Sequence, residues 1–370
     1  MKFKKSLLAL LFAAAMLITS ACGQTGGGNT DNNAENSISD NAPETDENGD
    51  ELITLTASGT LPHDVPPEAN GAFQVKGHKL YDANGNAFVI RGINHAHSWF
   101  QDKLDIAIPA IAETGANTVR IVLSDGQQWD RIPLEDVEKI IEICKENKLI
   151  CILEVHDLTG KDDIEGLRKT VEYWKEIKSA LIGNEAYVIV NIANEWVGTW
   201  DDPEMWYQGY SEAIAALREA DIKNTLMIDA PGWGQFAEPI DTYGETLFNE
   251  DPEKNTMFSI HMYGAAGKND RIIRTNLGYA FKHDICIVVG EFGYNHSDGD
   301  VDEDYIMEYC VDNKLGYLGW SWKGNGGGVE YLDIAEDWEG ETLSADWGER
   351  LINGRNGIGL TSKICSVFDE

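Results

Sequence analysis

Basic residues are scarce in this chain, which has 29 Lys and Arg against 63 Asp and Glu and therefore a formal net charge of −34. A phosphate backbone attracts surfaces rich in Lys and Arg, so this balance argues against a nucleic-acid-binding protein. The acidity is not confined to one end: residues 23–70 contain ten acidic and no basic residues, and residues 71–370 still carry a net charge of −27. Such a surface favours solubility and disfavours an anionic polymer as ligand, whereas a neutral polymer is unaffected.

Motifs of common cofactor and metal sites are also missing. No Gly-x-Gly-x-x-Gly motif follows the first apolar run of the folded region, which argues against a dinucleotide-binding fold. The six cysteines, at positions 22, 144, 151, 286, 310 and 365, form no Cys-x-x-Cys motif, so we expect no structural metal site. An acidic stretch at residues 298–304 offers oxygen ligands for calcium, but such stretches are ordinarily solvated surface. We therefore predict a protein without a cofactor or a metal.

The N-terminus has the pattern of a signal peptide. Three Lys residues at positions 2, 4 and 5 precede an apolar stretch at residues 7–18, and small residues at 19–21 precede Cys22. A cysteine directly after small residues resembles the bacterial lipoprotein box, in which that cysteine receives the lipid. We predict a lipoprotein signal peptide over residues 1–22 and a secreted, cell-surface protein that contacts the membrane only through lipid on Cys22. Ordinary secretion with cleavage nearby is the alternative.

A disordered acidic linker is predicted to follow at residues 23–70. This segment is rich in Asn, Asp, Glu, Gly, Thr and Ser, and such a composition buries too little apolar surface to offset the entropy lost on ordering. Residues 71–370 form the predicted folded domain, which we expect to be monomeric. With 42% hydrophobic residues and 11 Trp, the chain has enough apolar material for a substantial core.

Eight apolar, β-rich runs alternate with amphipathic stretches in the folded region, after a hairpin-like segment at residues 71–89. The runs are residues 89–94, 117–123, 149–156, 186–194, 225–230, 257–263, 285–291 and 315–322. The helical patterns include residues 134–147, 166–182, 203–220, 270–283, 302–313 and 345–352. Continuous apolar strands alternating with helices indicate a parallel sheet covered by helices. Eight such repeats predict an α/β protein with a closed (β/α)8 TIM barrel rather than an open doubly wound sheet.

Polar and aromatic residues follow nearly every run, at the barrel end where such folds carry their chemistry. They are Asn94, His95, His97, Arg120, His156, Asp157, Asn194, Glu195, Asp229, Trp233, His261, Tyr263, Glu291, Trp320 and Trp322. Eight of the eleven Trp residues, Trp99, Trp129, Trp196, Trp200, Trp233, Trp320, Trp322 and Trp338, also fall at strand ends or in the loops that follow. Aromatic faces stack on sugar rings, so this rim predicts a carbohydrate cleft, with loop packing as the alternative.

Two glutamates stand at the ends of the fourth and seventh runs. Glu195 lies in the sequence Asn-Ile-Ala-Asn-Glu-Trp, and Glu291 lies in Val-Val-Gly-Glu-Phe-Gly. A barrel turns its strand ends toward a common centre, so the two carboxylates are expected to face each other across a substrate. Hydrolysis of a glycosidic bond uses such a pair, one to protonate the leaving oxygen and one to attack the sugar. A retaining reaction requires the two carboxyl groups to lie roughly 5 to 5.5 Å apart.

Nine stretches together resemble glycoside hydrolase family 5, and within it the bacterial endo-β-1,4-mannanases. They are residues 80–85 (LYDANG), 91–95 (RGINH), 115–123 (GANTVRIVL), 154–157 (EVHD), 191–196 (NIANEW), 233–236 (WGQF), 259–263 (SIHMY), 290–293 (GEFG) and 320–325 (WSWKGN). The resemblance extends from residue 71 almost to the C-terminus. It implies a (β/α)8 barrel and a hydrolase that needs no cofactor.

The resemblance also implies roles for individual residues around the two glutamates. Glu195 matches the general acid/base and Glu291 the nucleophile. His261 and Tyr263 match a pair beside the nucleophile. Arg120 matches a buried arginine that supports it, since a nearby cation lowers the pKa of a carboxylate. A purely structural ion pair is the alternative for Arg120, and a buried core histidine is the alternative for His261.

Further residues match groups that contact the sugar. His156 and Asn194 match residues that hydrogen-bond the sugar beside the cleaved bond, and Trp320 matches the aromatic platform beneath it. His95, Trp99 and Lys323 are additional candidates for substrate contact. For His156 the alternative is again a core histidine.

The function implied is endo-acting, retaining hydrolysis of β-1,4-mannosidic bonds in mannan, glucomannan or galactomannan. One alternative is a family 5 β-1,4-glucanase, because glucose and mannose differ only at carbon 2 and are cleaved by the same carboxylate pair. Another is a non-catalytic surface lipoprotein that binds sugars, for which a matched acid and nucleophile would be unnecessary.

Overall fold

The structure, a computed structural model, describes residues 65–369. The predicted signal peptide, Cys22 and most of the predicted linker therefore lie outside the described residues, and the domain boundaries at residues 22 and 70 stay predictions. Within residues 65–369, no helix is both long enough and apolar enough to cross a membrane. The five cysteines in the described part of the chain are all buried and unpaired.

A small antiparallel sheet comes first and is formed by β1 (Gln74–Lys76), β2 (Lys79–Tyr81) and β3 (Ala87–Phe88). The sequence suggested a hairpin here, and the structure has three strands. Asp82 defines the second turn, since its carboxylate accepts hydrogen bonds from the backbone N–H groups of Asn84 (3.0 Å) and Asn86 (2.9 Å). Side chains of this sheet, including Val75 and Leu80, join one apolar cluster with residues at the beginnings of the barrel strands. The sheet therefore covers the N-terminal end of the barrel.

Eight parallel strands close the predicted barrel. The remaining strands are β4 (Arg91–His95), β5 (Thr118–Leu123), β6 (Ile150–Val155), β7 (Val188–Asn191), β8 (Leu226–Asp229), β9 (Thr256–Met262), β10 (Ile287–Phe292), β11 (Asn295–His296), β12 (Gly299–Asp300) and β13 (Gly316–Gly319). β11 and β12 pair only with each other, while β4 to β10 and β13 form a closed ring in chain order. The (β/α)8 fold is thus confirmed.

Helices cover the outside of the barrel. They are α1 (Leu104–Glu113), α2 (Leu134–Glu146), α3 (Ile164–Glu176), α4 (Lys178–Leu181), α5 (Pro203–Glu219), α6 (Glu238–Glu250), α7 (Asp270–His283), α8 (Glu303–Asn313), α9 (Gly348–Asn353) and α10 (Ile358–Thr361). Short 3₁₀ segments lie at His97–Trp99, Gln101–Lys103, Glu330–Leu332 and Ser366–Phe368. The predicted helix at residues 166–182 is divided at Ile177 into α3 and α4. The predicted final helix begins at Gly348, three residues later than expected.

The strands alternate between two apolar layers, and this alternation positions the site. In β6, Cys151, Leu153 and Val155 belong to the layer between the sheet and the helices. Ile150 and Ile152 belong to the cluster inside the barrel. Because successive side chains point to opposite faces, the next inward position is the buried acid Glu154. The interior is apolar at its N-terminal end and becomes polar at its C-terminal end.

Candidate active site

A connected group of buried polar side chains occupies the C-terminal end of the barrel. Seven of the residues to which the sequence assigned roles lie in it: Arg120, His156, Asn194, Glu195, His261, Tyr263 and Glu291. They come from β5, β9, β10 and the segments that follow β6, β7 and β9. The closed ring brings together residues that are up to 171 positions apart in the sequence.

Glu291 is held by donors on both of its carboxylate oxygens. Arg120 Nη1 donates to Oε1 at 2.8 Å, and the Tyr263 hydroxyl donates to Oε2 at 2.9 Å. Burial, together with the negative charges of Glu291 and Glu195, raises the pKa of Tyr263 well above its usual value. Its hydroxyl therefore keeps its proton and stays a donor. The two contacts fix the orientation of the Glu291 carboxylate.

Arg120 is fully buried and connects four strands. Its Nε donates to Asn191 Oδ1 at 2.9 Å, its Nη1 to Asn94 Oδ1 at 3.0 Å, and its Nη2 to Asn194 Oδ1 at 2.6 Å. The planar guanidinium thus sets the position of three amide side chains as well as one carboxylate. A lysine has no such fork and would satisfy only part of this arrangement.

Three buried carboxylates surround the guanidinium. The nearest atoms of Glu291, Asp229 and Glu154 lie 2.8, 3.4 and 3.8 Å from Arg120 nitrogens. Burial alone would lower the pKa of Arg120, but the charges of Glu154, Asp229 and Glu291 raise it well above the usual value. Arg120 therefore supplies a permanent positive charge at the centre of the cluster.

Glu195 lies four residues beyond the end of β7, whereas the sequence analysis placed it directly after the fourth run. β7 ends at Asn191 because the chain then leaves the sheet, and Glu195 adopts a left-handed backbone with φ of 47°. Its backbone N–H donates to Asp229 Oδ2 at 3.0 Å, and its carbonyl accepts from the N–H of Gly160 at 3.0 Å. This conformation directs the carboxyl group toward the centre of the barrel mouth.

Burial raises the pKa of the Glu195 carboxyl group above its usual value. The charge of Glu291 acts in the same direction, whereas the hydrogen bond and charge of His261 oppose the rise. The side chain is only 8% exposed. Glu195 therefore retains a proton to higher pH than a solvated glutamate does.

His261 stands between three acids. Its Nδ1 lies 2.8 Å from Glu195 Oε1 and 3.6 Å from Glu291 Oε2, and its Nε2 lies 3.5 Å from Asp229 Oδ2. Burial would lower the pKa of His261, but the charges of Glu291 and Asp229 and the hydrogen bond with Glu195 raise it to about 10. Gly234 allows this packing, since its φ is +72° and a Cβ there would lie 2.6 Å from the His261 ring.

The two glutamates are close enough for a retaining mechanism. One carboxylate oxygen of Glu195, one of Glu291 and a His261 ring nitrogen all lie within 4.8 Å of one another. Inverting glycosidases keep their carboxyl groups about 6.5 to 9.5 Å apart to admit a water, whereas retaining ones need about 5 to 5.5 Å. The spacing fits the shorter class.

His156 joins the polar cluster to an aromatic wall. Its Nδ1 lies 2.9 Å from Glu154 Oε1, and its Nε2 lies 3.4 Å from Asn194 Nδ2. Burial would lower its pKa, but the charge and hydrogen bond of Glu154 raise it. The His156 ring stacks on Trp320 with centroids 5.8 Å apart, and Trp99 meets it edge-on at 5.1 Å. These three rings form one side of the cleft.

The predicted tryptophan rim is only partly correct. Trp99, Trp200 and Trp233 are exposed, by 38%, 46% and 44%. Trp196 and Trp322 are fully buried, and their indole N–H groups donate to the backbone carbonyls of Asp163 and Trp338. These two belong to the packing of the barrel wall and not to the rim.

Trp233 is held on the rim by its backbone and by a neighbouring loop. It has a left-handed backbone with φ of 59°, and its ring lies directly over Gly160, where a Cβ would approach to 2.3 Å. Only glycine leaves room for the indole at this point. The loops after β6 and β8 thereby fix an exposed aromatic face next to the Glu195 segment.

Two of the predicted substrate contacts lie apart from the hydrogen-bonded cluster. His95 is fully buried between His97 and Trp338, and its ring nitrogens have no hydrogen-bond partner among the described residues. Burial and the neighbouring His97 lower the pKa of His95 to about 3. Lys323 Nζ lies 3.3 Å from Asp333 Oδ2 and donates to the Ala335 carbonyl at 3.2 Å, which ties it to its own loop. Contact of either residue with substrate stays a prediction.

Two carboxylates of the acidic stretch at residues 298–304 accept hydrogen bonds from neighbouring protein groups. Asp298 accepts from Gly264 N–H at 3.0 Å and from Gln235 Nε2 at 3.0 Å. Asp302 caps α8 by accepting from the N–H of Tyr305 at 3.1 Å. Both carboxylates therefore already have protein donors.

Sequence analysis assigned no role to four buried polar residues of the cluster: Asn94, Glu154, Asn191 and Asp229. Each lies within or at the end of an otherwise apolar strand. A single charged or amide side chain at an inward position of such a strand was the available signal. It was weak because any one residue of this kind is also compatible with a strand end in solvent.

Comparison with known proteins places these observations in a family. The family described as cellulase (glycosyl hydrolase family 5) matches residues 81–326 of this chain. The chain is similar to a mannan endo-1,4-β-mannosidase of Salipaludibacillus agaradhaerens, with 51% identity over 80% of this chain and 96% of that protein. It is also similar to the Streptomyces lividans mannan endo-1,4-β-mannosidase, with 44% identity over 81% of this chain and 78% of the relative.

A solved structure agrees with the sequence matches. The mannohexaose complex of Thermomonospora fusca β-mannanase superimposes with a TM-score of 0.76 and 43% identity, over 81% of this chain and all of that structure. The family match alone spans more than half of the residues. By sequence, by fold and by its two facing glutamates, the chain belongs to glycoside hydrolase family 5.

Proposed function

We propose that this glycoside hydrolase is an endo-acting, retaining mannanase that cleaves β-1,4-mannosidic bonds in mannan, glucomannan or galactomannan. The observation that carries the reaction type is the close pair Glu195 and Glu291, with oxygens within 4.8 Å of each other. The substrate class is supported by the mannan endo-1,4-β-mannosidases, which match at 51% and 44% identity. Three exposed indoles on the rim, Trp99, Trp200 and Trp233, supply stacking faces for the sugars of a long chain.

The reaction proceeds in two steps at the anomeric carbon. Glu195 gives its proton to the glycosidic oxygen while Glu291 attacks C1, so the C1–O bond breaks and a glycosyl ester forms on Glu291. Glu195, now a carboxylate, takes a proton from a water that attacks C1, and Glu291 leaves as the free carboxylate. Two inversions at C1 give net retention of configuration.

Different surroundings of the two glutamates suit these roles. Glu195 is buried and its pKa is raised, as a proton donor at neutral pH requires. Glu291 lies against the Arg120 cation and accepts from Tyr263, which favours a nucleophile in a fixed orientation. His156 and Trp320 stack on each other at the same end of the barrel, and we expect both, together with Asn194, to contact the sugar that Glu291 attacks.

The substrate is tested by measuring reducing ends released from locust bean gum galactomannan and from carboxymethylcellulose. We expect rapid release from the galactomannan and little from the cellulose derivative, and a fall in viscosity that precedes most of the reducing-end release if cleavage is internal. Stronger activity on carboxymethylcellulose would instead support the β-1,4-glucanase. Binding of galactomannan without release of reducing ends would support the sugar-binding alternative.

We also propose that the enzyme is secreted, anchored by lipid on Cys22 and monomeric. This proposal is supported by the sequence of residues 1–22, in which basic residues are followed by an apolar stretch and then by small residues before Cys22. In a bacterial host fed radiolabelled fatty acid, the wild-type protein should be labelled and the Cys22→Ser variant should not. Unlabelled protein recovered entirely from the medium would contradict the anchor, and size-exclusion chromatography of residues 65–370 checks the monomer.

A further inference from the structure

Asp229, at the end of β8, is fully buried and lies among four groups of the cluster. We propose that Asp229 is a positioning residue that holds the backbone of Glu195 in the conformation from which it protonates the leaving group. This inference rests on the proposed function, because it takes Glu195 as the general acid. Sequence analysis placed Asp229 at a strand end but assigned it no role.

The two carboxylate oxygens of Asp229 contact the general acid and three neighbouring side chains. Oδ2 accepts from the Glu195 backbone N–H at 3.0 Å and lies 3.4 Å from Arg120 Nη2 and 3.5 Å from His261 Nε2. Oδ1 accepts from Asn191 Nδ2 at 3.2 Å. Glu195 N–H, Arg120 Nη2 and Asn191 Nδ2 all donate to Asp229, so the site needs an acceptor on both oxygens.

Glu195 needs such an anchor because its backbone conformation is unfavourable. A residue other than glycine in the left-handed region is strained. A hydrogen bond from its N–H to a buried carboxylate stabilises the backbone by a comparable amount. The Asp229 contact therefore offsets the strain at the residue where the chain must turn the acid toward the substrate.

Asn191 prevents an amide from replacing the Asp229 carboxylate. An asparagine at position 229 would have one oxygen and one NH₂ group in place of the two carboxylate oxygens. If its oxygen accepts from the Glu195 N–H, its NH₂ group faces the NH₂ group of Asn191. If its oxygen faces Asn191, its NH₂ group faces the Glu195 N–H. Asn191 does not resolve this by turning its amide, since its Oδ1 accepts from Arg120 Nε at 2.9 Å. Asp229→Asn is thus nearly isosteric, but it loses the charge and sets two donors against each other at one of these contacts, which weakens the anchor.

Asp251 offers a matched control outside the site. It is also a fully buried aspartate paired with an arginine, since Arg218 Nε and Nη2 donate to its two oxygens at 2.9 Å each. It lies just before β9, at the opposite end of the barrel from the cleft. Asp251→Asn removes a buried charge of the same kind without touching the cluster.

The test compares two substrates that differ in their need for an acid. Mannopentaose has a poor leaving group and depends on protonation, whereas 2,4-dinitrophenyl β-mannobioside has a good leaving group and does not. For Asp229→Asn we expect kcat/KM to fall about 100-fold on mannopentaose, as misplacement of a reacting group by about 1 Å does, and to fall less than about threefold on the aryl glycoside. Asp251→Asn should lower thermal stability and leave the ratio of the two kcat/KM values unchanged.

The outcomes separate the inference from the proposed function. Equal losses on both substrates, or no loss on either, would overturn the role of Asp229. Wild-type protein that cleaves neither substrate would instead overturn the proposed function. If Asp229→Asn does not fold, Asp229→Ala is measured in the same way, since it removes both acceptor oxygens without placing a donor in the site. If neither folds, by circular dichroism at 25 °C, Asp229 is a structural residue and the inference fails.

Discussion

The guanidinium of Arg120 lies 2.8 Å from the carboxylate of Glu291, with Arg120 fully buried and Glu291 almost so. The same guanidinium holds Asn94, Asn191 and Asn194, so its geometry matters as well as its charge. Arg120→Lys keeps the positive charge but loses the fork. Since a hydrogen bond to a charged group contributes about 1.5–3 kcal/mol, we expect kcat/KM on galactomannan to fall about 10- to 100-fold.

Arg218→Lys is the control for the arginine substitution. Arg218 is buried and pairs with Asp251 through two of its nitrogens, at a distance from the cleft. The Arg218→Lys variant should lose about as much free energy of unfolding in urea as Arg120→Lys does, but it should retain wild-type kcat/KM. Full activity in Arg120→Lys would contradict a role for the fork in the site.

The two glutamates should respond differently to substitution and to rescue. Glu195→Gln should lower turnover of galactomannan about 10²- to 10⁴-fold, the usual contribution of a general acid. Added azide should then react with the glycosyl intermediate formed from an activated aryl mannoside and give a β-mannosyl azide. Glu291→Ala should lose turnover on both kinds of substrate, and any azide product should have the α configuration. Near-wild-type turnover in either variant would refute the assigned roles.

Tyr263→Phe removes one hydrogen bond to Glu291 and little volume. The lost contact, 2.9 Å in length, fixes one oxygen of the nucleophile, so kcat/KM should fall about 10- to 100-fold while the melting temperature changes little. Tyr317→Phe is the comparison, since its buried hydroxyl donates to the Asn356 carbonyl outside the site. Equal kinetic losses in both variants would point to general destabilisation instead of a role at Glu291.

Trp233 should contribute to substrate binding and not to stability. Its indole is 44% exposed beside the Glu195 segment, so Trp233→Ala should raise KM for galactomannan. In native gels that contain galactomannan, the polysaccharide should retard the variant less than it retards the wild-type protein. Loss of one stacking face corresponds to about 0.5–1.5 kcal/mol, or roughly two- to tenfold in affinity. Leu360→Ala, at a side chain 71% exposed, should leave KM and gel migration unchanged. Unaltered KM in Trp233→Ala would remove this residue from the cleft.

His261 and His95 should titrate at very different pH values. With a pKa of about 10, His261 should stay protonated at pH 7, while His95, with a pKa of about 3, should stay neutral. Nitrogen-15 spectra of histidine-labelled protein, recorded from pH 4 to 10.5 and assigned with His261→Gln and His95→Gln, measure both. A His261 signal that titrates near 6.5 would contradict the cationic form.

The raised pKa of His261 also predicts how stability changes with pH. Its folded-state pKa lies above the unfolded value of 6.5, so the stabilisation from its charge is complete below about pH 6.5 and is lost as the pH rises toward 10. The free energy of unfolding in urea should therefore fall over this range. The fall should be smaller in His261→Gln, and an identical slope in both proteins would contradict the prediction.

The sequence was sufficient for the barrel because burial leaves a repeated pattern. Each of the eight strands lies inside or within one residue of a predicted apolar run, and Glu291 lies within β10 as its position indicated. The sequence also shows that single inward positions such as Glu154 are polar, but it does not show which side chains contact them. A strand pattern records which residues are buried and not which of them meet.

Contacts across the barrel account for what the sequence left undetermined. Asp229 and Glu195 are 34 positions apart, and only closure of the ring brings the carboxylate to the backbone N–H. The left-handed conformation of Glu195 follows from that contact and from the Gly160 hydrogen bond, neither of which has a local signal. In the sequence, Trp196, Trp322 and Trp233 all lie at the end of an apolar run or in the loop after it. Only the packing of α3, α5 and the final loops decides which indole is covered.

The small sheet of β1 to β3 determines where the chain enters the barrel. Residues just before it run along that sheet, since Lys76 Nζ donates to the Val65 carbonyl at 2.6 Å and Gln74 Nε2 to the Glu68 carbonyl at 3.0 Å. This entry point is at the N-terminal end of the barrel, opposite the cleft. An enzyme immobilised through its N-terminal side would consequently face its open cleft away from the support, where a polymer too large to diffuse beneath the protein can still enter.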